Sequence, residues 1–326
     1  MTGPVEELDP AELIAPATAF TRLVEAVYGE APGVGARRWR YVGPGPARAL
    51  GIRRGAHLAA CLVLQVCDLS VDGARRPGWR MIDVMTHPEA RRRGHLAVLA
   101  RRALALAREE DRAVLGFPNE RSVRGFLGAG WATLGPVPAW SSGRPEARPD
   151  AGAPAARRAT REGAQRGPGD GAARAHLEGG WRPAGAHLPA VLESVWAAQR
   201  AVGVHRDLAY WRWRLARPDA TYAVFVADPG LLVLKAYGAD VVNDAELLVA
   251  PGALAVAAAG LRAARAWAEA RGARELTAWL APGSALTPAY RGAGLRPAPS
   301  GRVILLEPEA LGARPWHLAQ LDSDVY

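Results

Sequence analysis

Arg91, Arg92, Arg93 and Gly94 stand directly before a run with helical apolar spacing. A helix start presents unpaired N–H groups and the positive end of the backbone dipole, so cations placed there build an anion site. The three arginines add formal charge, and Gly94 lets the backbone come close to a phosphate. The plain alternative is three solvated arginines ahead of a surface helix. Asp83 is a lone polar intrusion in an apolar stretch, either a base beside a cleft or a carboxylate facing solvent. Asn119 and Ser122 follow a short apolar run, where they would cap a helix or reach a ligand. The sequence ends in Asp322-Ser323-Asp324-Val325-Tyr326. Folded back, Asp322 and Asp324 would attract an ammonium group or act as a base. The alternative is a frayed acidic end. No His/Cys/Asp/Glu spacing suggests a metal site.

These residues need elements to hold them. Met81 to Thr86 reads as a buried strand closed by Pro88. From Leu96 onward, Leu99, Ala100, Ala103, Leu104 and Ala107 recur at the helical period, with Arg101, Arg102 and Arg108 toward solvent. Val114 to Phe117 reads as a short strand stopped by Pro118, followed by a second helix. The runs 56–68 and 222–235 read as strand hairpins. The same order returns later as DAELLVAP (244–251), a helix with Leu254, Ala257, Ala258, Leu261 and Ala264, then LTAWLAP (276–282) and ALTPAYRGAGL (285–295). Pro88 and Pro251, Pro118 and Pro282, Phe126 and Tyr290, and Gly130 and Gly294 recur at an offset constant to within one residue. Glu246 takes the place of Asp83, and RRWRY (37–41) corresponds to YWRWRL (210–215). Trp39, Trp211 and Trp213 are expected to pack, with the arginines between them outward or paired.

The chain has 326 residues, about two domains by length. Residues 141–176 hold Gly, Pro, Ala, Ser and seven arginines with almost no large apolar side chain, which is linker composition. The expected domains are therefore 1–140 and 177–326. Hydrophobic residues make up 49% and charged ones 22%, which fits a globular protein. The longest apolar stretch, Leu247 to Leu261, is broken by Pro251 and Gly252, short of the roughly 18 residues of a membrane span. Cys61 and Cys67 are too few for a disulfide framework, and the acidic start lacks a signal-peptide pattern, so the expected compartment is the cytoplasm. The net charge is +9, but the 41 basic residues, Lys235 the one lysine among them, are spread through both halves. A nucleic-acid surface needs a dense basic cluster interleaved with aromatics.

The run MIDVMTHPEARRRGHLAVLARRALALA, followed by GFPNERSVRGFLGAGW, resembles the GNAT superfamily of acyl-CoA-dependent N-acetyltransferases. Its key motif is a strand, an Arg/Gln-x-x-Gly-x-Gly/Ala turn and a helix. The resemblance covers most of 37–135. The second half is similar to a degenerate copy, so the whole resembles a tandem GNAT, as do the Gly-Phe-Pro-Asn end at 116–119, the WRWR-like segment and Asp-Ser-Asp at 322–324. The implied fold is α+β, with two tandem GNAT-like domains, each a twisted mixed sheet flanked by helices and splayed between its fourth and fifth strands. The implied reaction moves an acetyl or short acyl group from acetyl-CoA, or another acyl-CoA, to an amine of a small molecule such as an amino sugar or natural-product intermediate. No metal, membrane or nucleic acid takes part.

The resemblance also implies roles. The cofactor would lie along Val84, Met85 and Thr86, against Arg91, Arg92, Arg93, Gly94, His95 and Leu96, and beside Asn119. Asp83 matches the strand carboxylate that serves as base, and an N–H around Met85 or Thr86 would face the oxyanion. The family's acid tyrosine is replaced by Phe126, which leaves Ser122, water or an unassisted thiolate. Leu96 stands where the family has a small residue. In tandem members of the enhanced-intracellular-survival type a C-terminal carboxylate acts as base, matched here by Asp322 or Asp324. The second half has no basic residue at 251–257 and is not expected to bind CoA. Two other readings are a tRNA-dependent aminoacyl transferase of the Fem type and a non-catalytic CoA-binding protein.

Overall fold

The computed structural model describes residues 3–143, 180–199, 201–237, 240–307, 311 and 314–323. The expected linker from 144 onward, and Asp324 with the two residues after it, lie outside the described residues. Two compact units emerge. The first holds Met1–Leu69, Arg75–Gly135 and Arg302–Ala313; the second holds Ser70–Ala74, Pro136–Gly301 and Arg314–Tyr326.

In chain order the first unit runs through β1 (Val5–Leu8), α1 (Pro10–Ile14), α2 (Ala19–Tyr28), α3 (Val34–Val42), β2 (Arg48–Arg54) and β3 (His57–Val66). The short β4 (Leu69–Val71) and β5 (Ala74–Arg76) take in the Ser70–Ala74 stretch that belongs to the second unit. The first unit resumes with β6 (Gly78–Thr86), α4 (His95–Glu109), β7 (Ala113–Gly116), α5 (Glu120–Leu127) and the start of β8 (Ala132–Ser141). β1, β2, β3 and β6 pair antiparallel in that order, and β7 joins β6 in parallel after the α4 crossover. Leu305–Glu307 pair antiparallel with the far edge of β7. The run 56–68 is a single strand, β3, not a hairpin. The turn lies just before it, at Gly55-Ala56, and nothing between His57 and Val66 breaks an apolar strand.

The strands read as continuous apolar runs because both faces of this sheet are covered. Trp79 and Met81 of β6 pack with Leu99, Leu104 and Leu106 of α4 on one face. Ile82 and Met85 pack with Phe20, Leu23 and Tyr41 on the other. The α4 stripe is the expected one, with Arg101, Arg102 and Arg108 exposed. Each fully buried leucine of that stripe contributes about 1.5–3 kcal/mol by leaving water.

The second unit continues from the end of β8 through β9 (Arg182–Pro183), α6 (Leu188–Ala197), β10 (Gly203–Val204), α7 (Leu208–Leu215), β11 (Tyr222–Ala227), β12 (Gly230–Tyr237) and β13 (Val241–Val249). It ends with α8 (Leu254–Ala270), β14 (Glu275–Trp279), α9 (Thr287–Gly292) and β15 (Arg296–Glu307), whose last residues are those that pair with β7. Its sheet runs β8, β14, β13, β12, β11, β9, with β13 and β14 parallel around the α8 crossover. Ala257, Leu261 and Ala264 of α8 are buried as expected, but Leu254 is 39% exposed. It sits in the first residue of the helix, before the stripe meets the sheet.

Candidate active site

The parallel pairing of β6 with β7 ends at Met81 opposite Gly116, yet β6 continues to Thr86. That leaves five residues of β6 splayed from their neighbour, on the side toward which the α4 crossover begins. Within the splay, Ile82 pairs with Val63 and Met85 with Cys61, so Asp83 and Val84 together oppose Leu62. This is a β-bulge, and it places Asp83 at φ +45° in the left-handed region. After the bulge the His87 N–H bonds to the Ala59 carbonyl at 2.8 Å. Antiparallel alternation therefore turns Met85 toward β3 and aims the Thr86 N–H away from it, into the splay. Of the two expected oxyanion donors, the register favours Thr86.

The turn before α4 follows from its residues. His87 caps a 3-10 turn at Pro88–Ala90, its Nδ1 accepting from the Glu89 N–H at 3.4 Å. Arg91, Arg92 and Arg93 are all exposed, with Arg92 at φ +61°. Gly94 is the N-cap of α4 at φ +78°, a conformation that disfavours any Cβ, and a Cβ there would meet nothing within 4 Å. No side chain caps the helix start, so its first N–H groups stay open beside three guanidinium groups. Such a turn suits a phosphate-sized anion. His95 is buried, with neither ring nitrogen partnered, and burial, then Arg54 and Arg93, lower its pKa. Its contribution to an anion is thus its backbone N–H. Leu96 is half-buried against the α4 core.

Asp83 turns its carboxylate toward α3. Arg40 Nε lies 2.8 Å from Oδ2 and its second guanidinium nitrogen 3.1 Å from Oδ1, while the Tyr41 hydroxyl donates to Oδ2 at 2.8 Å. The carboxylate side chain is only 6% exposed. The Nε contact is an ion pair without hydrogen-bond geometry, so the two hydrogen bonds take one lone pair on each oxygen of the roughly four a carboxylate offers. Burial, then the Asp83 charge, pushes the Tyr41 hydroxyl pKa well above its ordinary value. Arg40 and Tyr41 were not among the expected site residues. Their signal was the RRWRY motif, whose Arg37, Arg40 and Tyr41 are buried while Trp39 is half-exposed.

Asn119 is the N-cap of α5: its Oδ1 accepts the Ser122 N–H at 3.0 Å. The Ser122 hydroxyl is itself held by Asn119, 3.1 Å from both the backbone and side-chain oxygens. Phe126 is buried edge-on against Trp131, with ring centroids 5.7 Å apart.

In the second unit β13 likewise outruns β14, pairing as far as Asp244 opposite Ala278. Here the chain's own segment Trp316–Ala319 lines the space beyond, together with Asp244, Trp279, Leu286 and Tyr290. The Tyr290 hydroxyl donates to Asp244 Oδ2 at 2.7 Å, and Asp244 Oδ1 is buried without a hydrogen-bond partner. Burial pushes Asp244 up to about 7, against the Tyr290 bond that lowers it. Glu246, opposite Val233 beyond the β13 bulge, is fully buried and accepts from Arg206 at 2.7 Å. Burial alone would raise Glu246, but Arg206 and His317 hold it below its ordinary value. Arg206 also donates to Asp322 at 2.7 Å, and Asp322 accepts the Ala319 N–H at 2.9 Å. Asp322 is thus enclosed in an ion cluster of the second unit, with no exposed surface of its own.

Among the described residues, no group of three or more His, Cys, Asp or Glu side chains is placed to hold a metal, and no helix is long and apolar enough to cross a membrane.

Residues 15–132 match the model of an acetyltransferase (GNAT) domain. No curated protein sequence matches the chain. Among solved structures, a probable N-acyltransferase from Enterococcus faecalis is 13% identical, with a TM-score of 0.61 over 94% of this chain and 72% of that one. A GCN5-related N-acetyltransferase from Kribbella flavida is 19% identical, with a TM-score of 0.59 over 94% and 71%. A tandem GNAT protein from the clavulanic acid biosynthesis pathway is 15% identical, with a TM-score of 0.54 over 93% of this chain and 98% of that one.

Proposed function

We propose that this chain, a GNAT protein whose acetyltransferase domain spans 15–132, moves an acetyl or other short acyl group from coenzyme A to a small-molecule amine at the splay of its first unit. The observation that carries the reading is the open start of α4, uncapped and flanked by Arg91, Arg92 and Arg93, beside a strand splayed from its neighbour. Bound there, acyl-CoA supplies an activated thioester. The Arg91–Leu96 turn holds the pyrophosphate, and the splayed edge of β6 aligns the acyl end.

The chain's own residues then have three tasks. Thr86 offers its N–H to the negative charge that develops on the thioester oxygen. Asp83, oriented by Arg40 and Tyr41, uses a carboxylate lone pair left by those two hydrogen bonds to take a proton from the incoming ammonium, directly or through water. The departing thiolate takes no proton from residue 126, and its low basicity makes unassisted departure acceptable. The Asn119 side chain, committed to the α5 cap, orients the helix rather than the cofactor. The second unit lacks basic residues at 251–257 and keeps its own splay lined by Trp316–Ala319, so the reading assigns acyl-CoA to the first unit alone.

The test is calorimetric binding of CoA to the full chain. Replacing Arg91, Arg92 and Arg93 together by alanine should weaken affinity by about a hundredfold, the equivalent of one to two charge-assisted bonds of about 1.5–3 kcal/mol each, because solvent screens all three exposed side chains. Equal affinity in the triple variant would remove the turn from the site.

A further inference from the structure

Leu96 is the second residue of α4 and carries one of the N–H groups that open the helix. Helical side chains lean toward the N-terminus of their helix, so a leucine here tends to lie over the Arg91–Gly94 turn. Its place is on α5 instead. A Cβ built on Gly125 would lie 2.8 Å from Leu96 Cδ2 and 3.3 Å from its Cγ. Gly125 is not among the residues with positive φ, so its backbone does not require glycine. What it supplies is the missing side chain. We propose that Gly125 is a positioning residue for the cofactor: by seating Leu96 on α5 it keeps the first turn of α4 clear for the phosphates of acyl-CoA. This rests on the reading that the α4 start holds acyl-CoA.

The displaced atom decides what a substitution would do. A methyl group at 125 meets the far end of a side chain and no backbone, so the fold yields by moving Leu96. The leucine either swings toward the arginine turn or draws the first turn of α4 with it. Both outcomes spoil the approach of an anion to the open N–H groups, and neither opens a cavity. Alanine is also the better helix former. Gly125→Ala should therefore leave stability unchanged or raised while cofactor binding falls, which separates it from an ordinary packing defect.

The experiment uses the full chain, with CoA affinity by calorimetry, thermal midpoint, and steady-state kinetics on an amine substrate where one is found. Gly125→Ala should weaken CoA binding by about tenfold, in line with the cost of displacing a positioned group, at an unchanged or higher midpoint. KM for acetyl-CoA should rise with it while kcat stays within about twofold. Adding Leu96→Ala to Gly125→Ala removes the clashing methyl groups and should restore affinity to within about threefold of the parent. A Gly125→Ala protein that binds CoA as the parent does overturns the proposal and leaves the cofactor reading standing. A double variant that stays weak also overturns it, because the loss then does not pass through Leu96. A parent chain that binds no CoA overturns both.

Discussion

Replacing Asp244 by asparagine measures how much a buried carboxyl costs the second unit. Asp244 is 2% exposed, its Oδ1 has no hydrogen-bond partner, and its pKa stands at about 7. An unfolded aspartate titrates near 3.9. Between those values the unfolded chain has released the proton while the folded chain still holds it. Stability therefore falls as pH rises through this window, by about 1.4 kcal/mol per pH unit, or about 4 kcal/mol in all. Below pH 4 both states are protonated and the term vanishes. Asparagine keeps the shape and an oxygen to accept the Tyr290 hydroxyl, but carries no charge at any pH. Urea unfolding of the parent and Asp244→Asn, followed by circular dichroism from pH 4 to pH 8, should give similar midpoints at pH 4. The variant should lead increasingly above that, by about 1.5 M urea or more at pH 8 for an m-value near 2–3 kcal/mol/M. Curves that stay parallel across the range would refute the reasoning.

Asp83→Asn should lower turnover roughly a hundredfold at neutral pH, with the deficit shrinking at high pH where the amine is already neutral; a deficit constant with pH would assign Asp83 to holding Arg40 and Tyr41. Arg206→Ala leaves Glu246 and Asp322 buried without their shared partner and should cost about 3–5 kcal/mol in urea unfolding; a loss under about 1 kcal/mol would mean that water reaches the cluster.

Local pattern carried the parts of the fold that local pattern controls. The α4 stripe, the strand ending at Pro88 and the glycine that opens the helix are each decided by neighbours within a few residues. The Asp83 site is different. Arg40 and Tyr41 lie more than forty residues away in sequence, and they meet Asp83 because a bulge turns it out of the strand alternation. Nothing in MIDVMT announces that bulge. The sequence leaves Asp322 either folded back as a base or lying in a frayed acidic end, because no neighbouring residue announces a partner for it. Its burial depends on Arg206, which satisfies two acids at once. The pairing of Leu305–Glu307 with β7 is likewise a matter of strand order, to which the β15 sequence gives no local clue.

The two related halves have divided what one site would combine. Tyr290, the counterpart of Phe126 in the sequence repeat, has its hydroxyl spent on Asp244 in a buried pair, and burial pushes its pKa well above the ordinary value. A tyrosine so held is a poor acid toward a thiolate. The chain segment Trp316–Ala319 lies along the same splay. In the first unit the corresponding residue, Phe126, packs edge-on with Trp131 and offers no proton, while the arginine turn and the splayed edge of β6 stay open. The Tyr290 hydroxyl serves the second unit by giving a buried carboxyl a hydrogen bond from a side chain. On the proposed function, catalysis in the first unit reduces to holding the thioester, taking one proton from the amine and facing the oxygen with an N–H, and on that reading the last two tasks fall to Asp83 and Thr86.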